Sequence, residues 1–246
     1  MAFSKKLSTL VLFNLAICLA ANAQTQDSYE YNSEFTWGIN KNTSGGLIAG
    51  LVFKKGRKLS DRVVETFSLE VVNVKHPQEV RRSSNSTGNF FIYGKRNYLY
   101  AFRFQYGRDF ILFKKAPQQG VEIKLVTAIG PTLGIVAPYF IDRMVDNSQF
   151  NSVHEQYDPN NPNHSYGNIL GTGDFFEGLF KSKIQPGVNA KVGFNFELGT
   201  IKSQVTGFEV GFLTDAYLKK VIIMPSTSNR AVFPTLYFIL FYGNRK

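Results

Sequence analysis

Cysteine is almost absent from this chain, whose 246 residues include one cysteine, Cys18, one tryptophan and three histidines. A single cysteine cannot form a disulfide within the chain, so the fold must be stabilised in another way. The sequence also has no phosphate-binding glycine loop, no paired metal-ligand cluster and no dinucleotide fingerprint. It therefore lacks the usual signatures of nucleotide-dependent enzymes and metalloenzymes, and we predict no cofactor.

Long apolar runs are also scarce, and the clearest one lies near the start of the chain. Lys5 and Lys6 precede an apolar run over residues 7–19, which is followed by Ala21-Asn22-Ala23. A basic segment, a short apolar segment and an A-x-A site together predict a secretory signal peptide that is cleaved after Ala23. The run is shorter than the ~20 residues that a membrane-spanning helix needs.

The remainder of the chain is then a single exported domain. We predict a signal peptide over residues 1–23, a short periplasmic segment over 24–33 and the folded domain over 34–246. No later segment is long and apolar enough for a transmembrane helix. Any membrane-spanning structure would therefore have to be built from strands.

Acidic residues are few relative to basic ones, with 18 Asp and Glu against 28 Lys and Arg and a formal net charge of +10. Such an excess favours an anionic partner, and export argues against nucleic acid. The basic clusters at 80–82, 94–96 and 218–220 could pair with lipopolysaccharide phosphates. Solubilising charge at strand ends would explain them equally well.

Alternation of apolar and polar residues is what the chain has in abundance. Residues 188–198, VNAKVGFNFEL, place an apolar side chain at every second position. A period of two predicts a β-strand with two unlike faces. Such runs predict eight strands, over residues 34–41, 46–55, 62–74, 97–113, 119–141, 187–198, 204–218 and 231–243.

The links between these strands differ in length in a regular way. Short links follow the second, fourth and sixth strands, whereas residues 75–96 and 142–186 form long ones. This is typical of an antiparallel transmembrane β-barrel with short periplasmic turns and long extracellular loops, and an even strand number places both termini in the periplasm. Gly130-Pro131 and Pro138 could break one strand and Gly107 predicts a bulge or turn, so ten strands are the alternative.

The two faces of the strands also suit a membrane barrel. One side of residues 98–106, YLYAFRFQY, carries five aromatic residues at alternate positions. Such a stripe fits a lipid-facing band with aromatic girdles, the alternative being a face of a secreted β-sandwich. The predicted lipid-facing aromatic band comprises Tyr98, Tyr100, Phe102, Phe104, Tyr106, Phe194, Phe196, Phe208 and Phe212.

The charged residues on the opposite faces are predicted to form a paired network in the lumen. The interior of an eight-stranded barrel is just wide enough for side chains to fill, and unpaired charges there would be costly. A hairpin centred on residues 199–203 would set Gly193 opposite Glu209 and Gly211 opposite Lys191, which leaves room for the charged side chains. The predicted network comprises Glu70, Arg103, Glu122, Lys124, Lys191, Glu197 and Glu209.

The long link 142–186 contains candidate sites of its own. Residues 158–163 offer Asp and Asn oxygens to Ca²⁺, although their spacing fits no EF-hand and suits ordinary turns. His164-Ser165 offers a base beside a nucleophile, without an evident acid partner. Neither pattern is specific enough to predict a metal site or an active site.

The end of the same link, TGDFFEGLFKSK, predicts a short amphipathic helix. Asp174 and Glu177 have the spacing of a capping box. The apolar face of this helix would either dock a partner at the outer rim or pack into the barrel mouth. The predicted docking face comprises Phe175, Phe176, Leu179 and Phe180.

Two strand runs carry a resemblance to a known group of proteins. Residues 184–199, IQPGVNAKVGFNFELG, and 106–115, YGRDFILFKK, resemble strands of the small, porin-like outer-membrane β-barrel proteins of Gram-negative bacteria, above all those common in Bacteroidetes. The resemblance is one of pattern over about 200 residues of this sequence, and it implies an outer-membrane location.

From the residues and this resemblance we expect a non-enzymatic outer-membrane barrel. The first hypothesis is a scaffold or accessory subunit of an outer-membrane protein complex, in contact with outer-membrane lipid and lipopolysaccharide and with another outer-membrane protein. The second is a narrow channel or transporter for a small or apolar solute, gated by residues 142–186. The third is a lipid-modifying barrel enzyme, such as a lipid hydrolase.

Overall fold

A computed structural model describes residues 32–115, 120–145, 148–173, 179–198 and 203–246. Three short 3₁₀ helices, Pro162–His164, Tyr166–Asn168 and Leu179–Lys181, accompany the strands. Among the described residues there is no helix long and apolar enough to cross a membrane. The strands are β1 (Ser33–Asn42), β2 (Gly46–Ser60), β3 (Val63–Val74), β4 (Arg81–Ser83), β5 (Phe90–Ile92), β6 (Asn97–Phe113), β7 (Glu122–Pro138), β8 (Phe140–Val145), β9 (Ser148–Gln156), β10 (Ile169–Thr172), β11 (Lys183–Leu198), β12 (Gln204–Val221) and β13 (Arg230–Arg245).

Eight of these strands close into an antiparallel barrel. Going round the ring, their order is β1, β2, β3, β6, β7, β11, β12 and β13, and β13 pairs with β1. Each barrel strand therefore pairs with the barrel strands that come before and after it along the chain, as in an up-and-down barrel. The prediction of an eight-stranded antiparallel barrel is confirmed, and the ten-stranded alternative is wrong.

Neither Gly130-Pro131 nor Gly107 interrupts the barrel, whereas Pro138 ends β7 and the next strand, β8, begins at Phe140 in a separate sheet. Strand β7 runs unbroken through Gly130 and Pro131, although its pairing with β6 skips from Thr132 to Ile129. Proline has no N–H to donate, so the ladder opens locally while the strand continues. The bulge predicted at Gly107 is wrong, because Gly107 pairs in register with Thr66 and Ala128.

Alternation along each strand gives the barrel an apolar exterior and a mainly polar interior. On β1, Phe35, Trp37 and Ile39 point outward and are about half exposed. Glu34 and Asn40 on the same strand point inward and are buried. The outer faces of β11 and β13 repeat the pattern with apolar side chains such as Val192, Phe194, Leu236 and Leu240.

The predicted register of one hairpin is wrong by two residues. Gly193 lies opposite Gly211, Asn195 opposite Glu209, and Lys191 opposite Leu213. A Cβ atom added to Gly193 would lie 2.3 Å from Tyr237 Oη, so the facing glycines make room for that tyrosine rather than for the charged side chains. The centre of the hairpin lies later in the chain than expected, and residues 199–202 within it are outside the described residues.

The two ends of the barrel differ. At one end, the turn end, short links join the strands and the first described residue meets the last: Asn32 N donates to Lys246 O at 3.0 Å. At the other end, the loop end, the long links are folded. Strands β4 and β5 pair with each other, and β8 pairs with β9 and β10. These five strands form the loop cap.

The loop cap and the upper barrel are packed around apolar side chains. Phe91, Tyr139, Ile141, Tyr157 and Ile169 form a buried cluster in the cap. Inside the barrel just below it, Ile223 and Met224 from the link between β12 and β13 are buried against inward-facing residues. The lumen is therefore closed at the loop end by an apolar plug. Its other buried members are Val72, Val74, Leu99, Ala101, Tyr217, Val221 and Phe233.

Candidate functional site in the barrel interior

A continuous chain of ion pairs crosses the middle of the barrel. Its members come from five strands, because each strand turns every second side chain inward. Acids and bases alternate along it, so every cation lies between two carboxylates. This central ion-pair chain runs Asp215, Arg103, Glu70, Lys191, Glu209, Lys54 and Asp109.

Arg103 holds one end of this chain. Its Nε and Nη2 donate to the two oxygens of Asp215 at 3.0 and 2.6 Å, a bidentate contact. Its Nη1 donates to Glu70 Oε2 at 3.1 Å. Thr132 Oγ1 adds a donor to Asp215 at 3.2 Å. Planar guanidinium and carboxylate groups fit this geometry, which fixes both partners as well as neutralising them.

Lys191 joins the two halves of the chain. Its Nζ lies 2.8 Å from both Glu70 Oε1 and Glu209 Oε1, and 4.6 Å from the centre of the Tyr237 ring. Glu209 also accepts from Tyr237 Oη at 3.0 Å. Lys54 Nζ then links Glu209 to Asp109 at distances of 3.5 and 2.6 Å.

A second group of ion pairs closes the turn end of the barrel. Arg245 Nη1 donates to Glu197 Oε1 at 2.8 Å, and Arg245 Nη2 donates to Glu34 Oε2 at 3.2 Å. Lys124 Nζ lies 3.2 Å from Glu122 Oε1 and within ion-pair distance of Glu34 and Glu197. We call these five residues the turn-end cluster.

All seven residues predicted for the lumen lie inside the barrel, each at most 8% exposed. The structure divides them between the central chain and the turn-end cluster. Sequence reasoning missed five further members, although their parity along the strands would have identified most of them. Asp109 was not predicted to face inward, because the alternation of apolar and polar residues was expected to change phase at Gly107. The missed residues are Glu34, Lys54, Asp109, Asp215 and Arg245.

The nine predicted lipid-facing aromatic residues all lie on the outer face of the barrel. Phe104, Tyr106, Phe194 and Phe212 are exposed, and the other five are partly covered by neighbouring side chains. Phe196 stacks on Phe208 with ring centres 4.9 Å apart. These rings form part of an apolar belt that surrounds all eight strands.

Two of the side-chain oxygens considered for a calcium site accept hydrogen bonds within the loop itself. Asp158 Oδ1 accepts from Asn160 N at 3.1 Å, and Asn161 Oδ1 accepts from Asn163 N at 3.0 Å. These contacts are Asx turns, the alternative that the sequence left open. In the part of the chain that the structure describes, no group of three or more His, Cys, Asp or Glu side chains could hold a metal ion.

The contacts of His164 are those of a structural residue and not those of a catalytic base. The ring is buried, and its Nδ1 accepts from Asp158 N at 2.8 Å. Its Nε2 lies 3.0 Å from Glu155 Oε1, and none of the described hydrogen bonds joins it to Ser165. Burial alone would raise the pKa of Glu155, but hydrogen bonds from Arg143 and His164 hold it below its usual range.

The predicted docking helix lies partly outside the described residues, which exclude Phe175 and Phe176. The described part begins at Leu179 with a single 3₁₀ turn, Leu179–Lys181. Phe180 in this turn projects into the surroundings with 97% of its surface exposed. Lys181 Nζ lies 5.0 Å from the centre of the Phe140 ring in the loop cap.

Several solved structures resemble this barrel, among them two of one protein and one of another. The attachment invasion locus protein Ail of Yersinia pestis, in complex with the heparin analogue sucrose octasulfate, is 10% identical with a TM-score of 0.43, covering 89% of this chain and all of that one. A second Ail structure has a TM-score of 0.39 at the same identity and coverage. Neisserial surface protein A is 9% identical, with a TM-score of 0.35 and coverage of 89% of this chain and 98% of that one.

Ail and Neisserial surface protein A are small outer-membrane β-barrel proteins. At such low identities and TM-scores, the likeness assigns neither an activity nor a ligand to this chain. No protein-family model and no curated protein matches the sequence.

Proposed function

We propose that this protein is a non-enzymatic outer-membrane β-barrel that serves as a scaffold or accessory subunit of an outer-membrane protein assembly. The observation that carries the proposal is the inside-out distribution of side chains: an apolar belt outside and buried ion pairs inside. A soluble barrel would not expose such a belt to water, because large apolar patches on soluble monomers are rare.

The distribution of loops supports an orientation with both termini in the periplasm. Bacterial outer-membrane barrels have short periplasmic turns and longer extracellular loops. Here the start of β1 and the end of β13 meet at the turn end, and the loop cap rises from the opposite end. Export through a cleaved signal peptide, as proposed for residues 1–23, agrees with this orientation.

A scaffold is favoured over a channel because side chains fill the interior. The central ion-pair chain crosses the lumen, the turn-end cluster occupies one end and the apolar plug occupies the other. Paired and buried charges of this kind hold the barrel together and offer no free ionisable group to a passing solute. A lipid-hydrolase role has little support, because the His164-Ser165 pair lacks the contact that activates a nucleophile.

The loop-end rim is the surface best suited to binding. Phe180, Leu218 and Ile184 are 97%, 80% and 73% exposed. Lys183 and Lys219 are exposed beside them on β11 and β12. Apolar side chains next to lysines suit a site where the outer leaflet begins, with lipopolysaccharide phosphates and a neighbouring outer-membrane protein as partners.

The first experiment is purification from outer membranes in mild detergent, followed by mass spectrometry of the proteins that accompany the barrel. A photo-crosslinking amino acid at Phe180 should give one discrete adduct with a partner protein. The same amino acid at Leu240, in the middle of the apolar belt, should give none. A barrel that purifies alone and gives no adduct at position 180 would contradict the scaffold role.

Conductance in a planar bilayer separates the scaffold from the channel. We expect the purified barrel to give no steady conductance above that of the bare bilayer. Discrete, reproducible conductance steps would show that the lumen opens, and the channel role would then replace the scaffold role.

A further inference from the structure

A groove crosses the outer face of the barrel on the side formed by β1, β2, β3, β6 and β7. Its volume is about 450 Å³. The walls are exposed aromatic and aliphatic side chains, among them Phe53, Phe67, Phe104 and Ile129. The groove starts near Phe35 and Lys55, toward the turn end, and extends toward Pro131, nearer the loop end.

The floor of the groove is formed mainly by strand backbone at positions whose side chains face the lumen, and the outward Leu69 also lines it. Ser68 Oγ points inward and donates to the buried Gln105 at 2.9 Å. Gly130 has no side chain, and a Cβ atom there would lie 1.9 Å from the carbonyl oxygen of Phe104. Both residues belong to the inward parity of their strands, so the outer floor at this place is backbone and the surrounding rings stand on either side of it.

One lysine lies in this apolar surface without an acidic neighbour across the sheet. Lys55 points outward, and its cross-strand partners are Phe35 and Phe67. Arg57, two residues further toward the turn end, points the same way and lies opposite Glu65. Among the described residues, neither Lys55 nor Arg57 has an acidic group within 4.0 Å. The Glu65 carboxylate accepts instead from Tyr106 Oη at 3.0 Å.

We propose that this groove binds one anionic phospholipid of the periplasmic leaflet. The phosphate lies at Lys55 and Arg57, and an acyl chain follows the groove between the aromatic walls toward Pro131. The inference rests on the membrane location and orientation proposed above. The basic end of the groove faces the turn end, so the headgroup belongs to the periplasmic leaflet, which identifies the ligand as a phospholipid rather than lipopolysaccharide.

The test uses the full-length barrel in vesicles that contain equal amounts of phosphatidylglycerol and phosphatidylethanolamine. After extraction in mild detergent, native mass spectrometry counts the lipids that remain bound. We expect one phosphatidylglycerol per barrel, and a loss of about fivefold in its retention for Lys55→Gln, the change expected for one basic contact to a lipid. Lys41→Gln is the matched control, because Lys41 also points outward but lies far from the groove.

A second variant tests the apolar part of the site. Leu69→Trp places a large ring in the groove, whereas Val210→Trp adds the same ring on the opposite side of the barrel. Leu69→Trp should reduce the retained phosphatidylglycerol and Val210→Trp should not. Because both substitutions add apolar surface to the belt, a shared folding defect would affect them equally.

The outcomes separate this inference from the membrane location. A barrel that inserts into vesicles but retains both lipids equally, or loses phosphatidylglycerol equally in Lys55→Gln and Lys41→Gln, overturns the lipid site alone. A chain that does not insert into vesicles overturns the membrane location and the lipid site together.

Discussion

At the scale of single residues, the interior depends most on Arg103. This side chain lies between Glu70 on β3 and Asp215 on β12, and all three groups are buried. Removing one partner of a buried ion pair typically costs about 3–5 kcal/mol, because the remaining charge is left uncompensated. We expect Arg103→Met to lower the free energy of unfolding by about that amount, measured by urea denaturation of the barrel in vesicles.

The matched control for this prediction lies on the same strand. Arg108 points outward from β6 and is exposed, so Arg108→Met should change the free energy of unfolding by no more than about 0.5 kcal/mol. Equal losses of stability in the two variants would mean that the assignment of inner and outer faces on β6 is wrong.

The faces of individual residues could be predicted from the sequence because parity along a strand needs no knowledge of its neighbours. Arg103 and Glu209 are placed correctly by counting in twos from a clear alternating run. The contact between Lys54 and Asp109 could not be predicted, because it joins β2 to β6 past the strand β3 that lies between them. No local pattern shows which inward charges meet across a lumen, so the pairs themselves required the structure.

At the scale of elements, register is the property that alternation leaves undetermined. A register shift of two residues leaves every side chain on the same face of the sheet. The predicted and observed hairpins of β11 and β12 therefore agree on which side chains point outward. They differ in partners: Phe194 lies opposite Val210 in the structure and would lie opposite Phe208 in the predicted register. The length of the turn determines which of the two registers forms, and that length is not evident from the sequences of the strands.

Engineered cysteines measure this register. Residues directly opposite in an antiparallel pair have Cα atoms about 4.5–5.5 Å apart, within the range of a disulfide. Neighbours offset by two residues are about 7–8 Å apart. We expect Phe194→Cys with Val210→Cys to form a disulfide on mild oxidation, and Phe194→Cys with Phe208→Cys to remain mostly reduced. The reverse result would restore the predicted register.

The loop cap is the part of the fold that is hardest to predict from the sequence, because β4 and β5 are three residues long and show no alternation. Within the cap, Glu155 on β9 joins Arg143 on β8 to the buried His164. Glu155→Gln should accelerate tryptic cleavage after Arg143 by up to about fivefold, since partly exposed ion pairs contribute about 0.2–1 kcal/mol. Glu65→Gln on the outer wall of the barrel should leave the cleavage rate unchanged.

Acidification should loosen the same contact. The pKa of Glu155 in the folded cap is held below its usual range, so its contribution is complete above the ordinary carboxyl pKa. It is lost as the pH falls through the lowered value. Protection of β9 amides from hydrogen exchange, corrected for intrinsic rates, should therefore fall in acid before the barrel strands are affected. Simultaneous loss of protection in cap and barrel would contradict a separate role for Glu155.

At the scale of the whole molecule, apolar side chains cover the outside and charged side chains lie inside, which is the reverse of the arrangement in a soluble protein. Closure of eight strands removes every edge of the barrel sheet, and buried ion pairs share the interior with apolar clusters. Strand number and inward charge could be predicted because both follow from local patterns. The filled lumen and the outer groove could not, because they depend on which strands face each other.

The single tryptophan of the chain reports directly on the apolar belt. Trp37 lies on the outer face of β1, half exposed and in contact with Tyr242. In vesicles we expect its fluorescence to be quenched by lipids brominated on the acyl chain and protected from aqueous acrylamide, because its side chain would lie among acyl chains.

The control moves the tryptophan from the belt to the loop cap by combining Trp37→Phe with Phe90→Trp. Phe90 on β5 is exposed at the loop end, beyond the belt. A tryptophan at that position should be quenched by acrylamide and not by brominated lipid. If acrylamide instead quenched Trp37 as strongly as the residue at position 90, the belt would face water. The exposed apolar surface would then have to be covered by another protein chain rather than by a membrane.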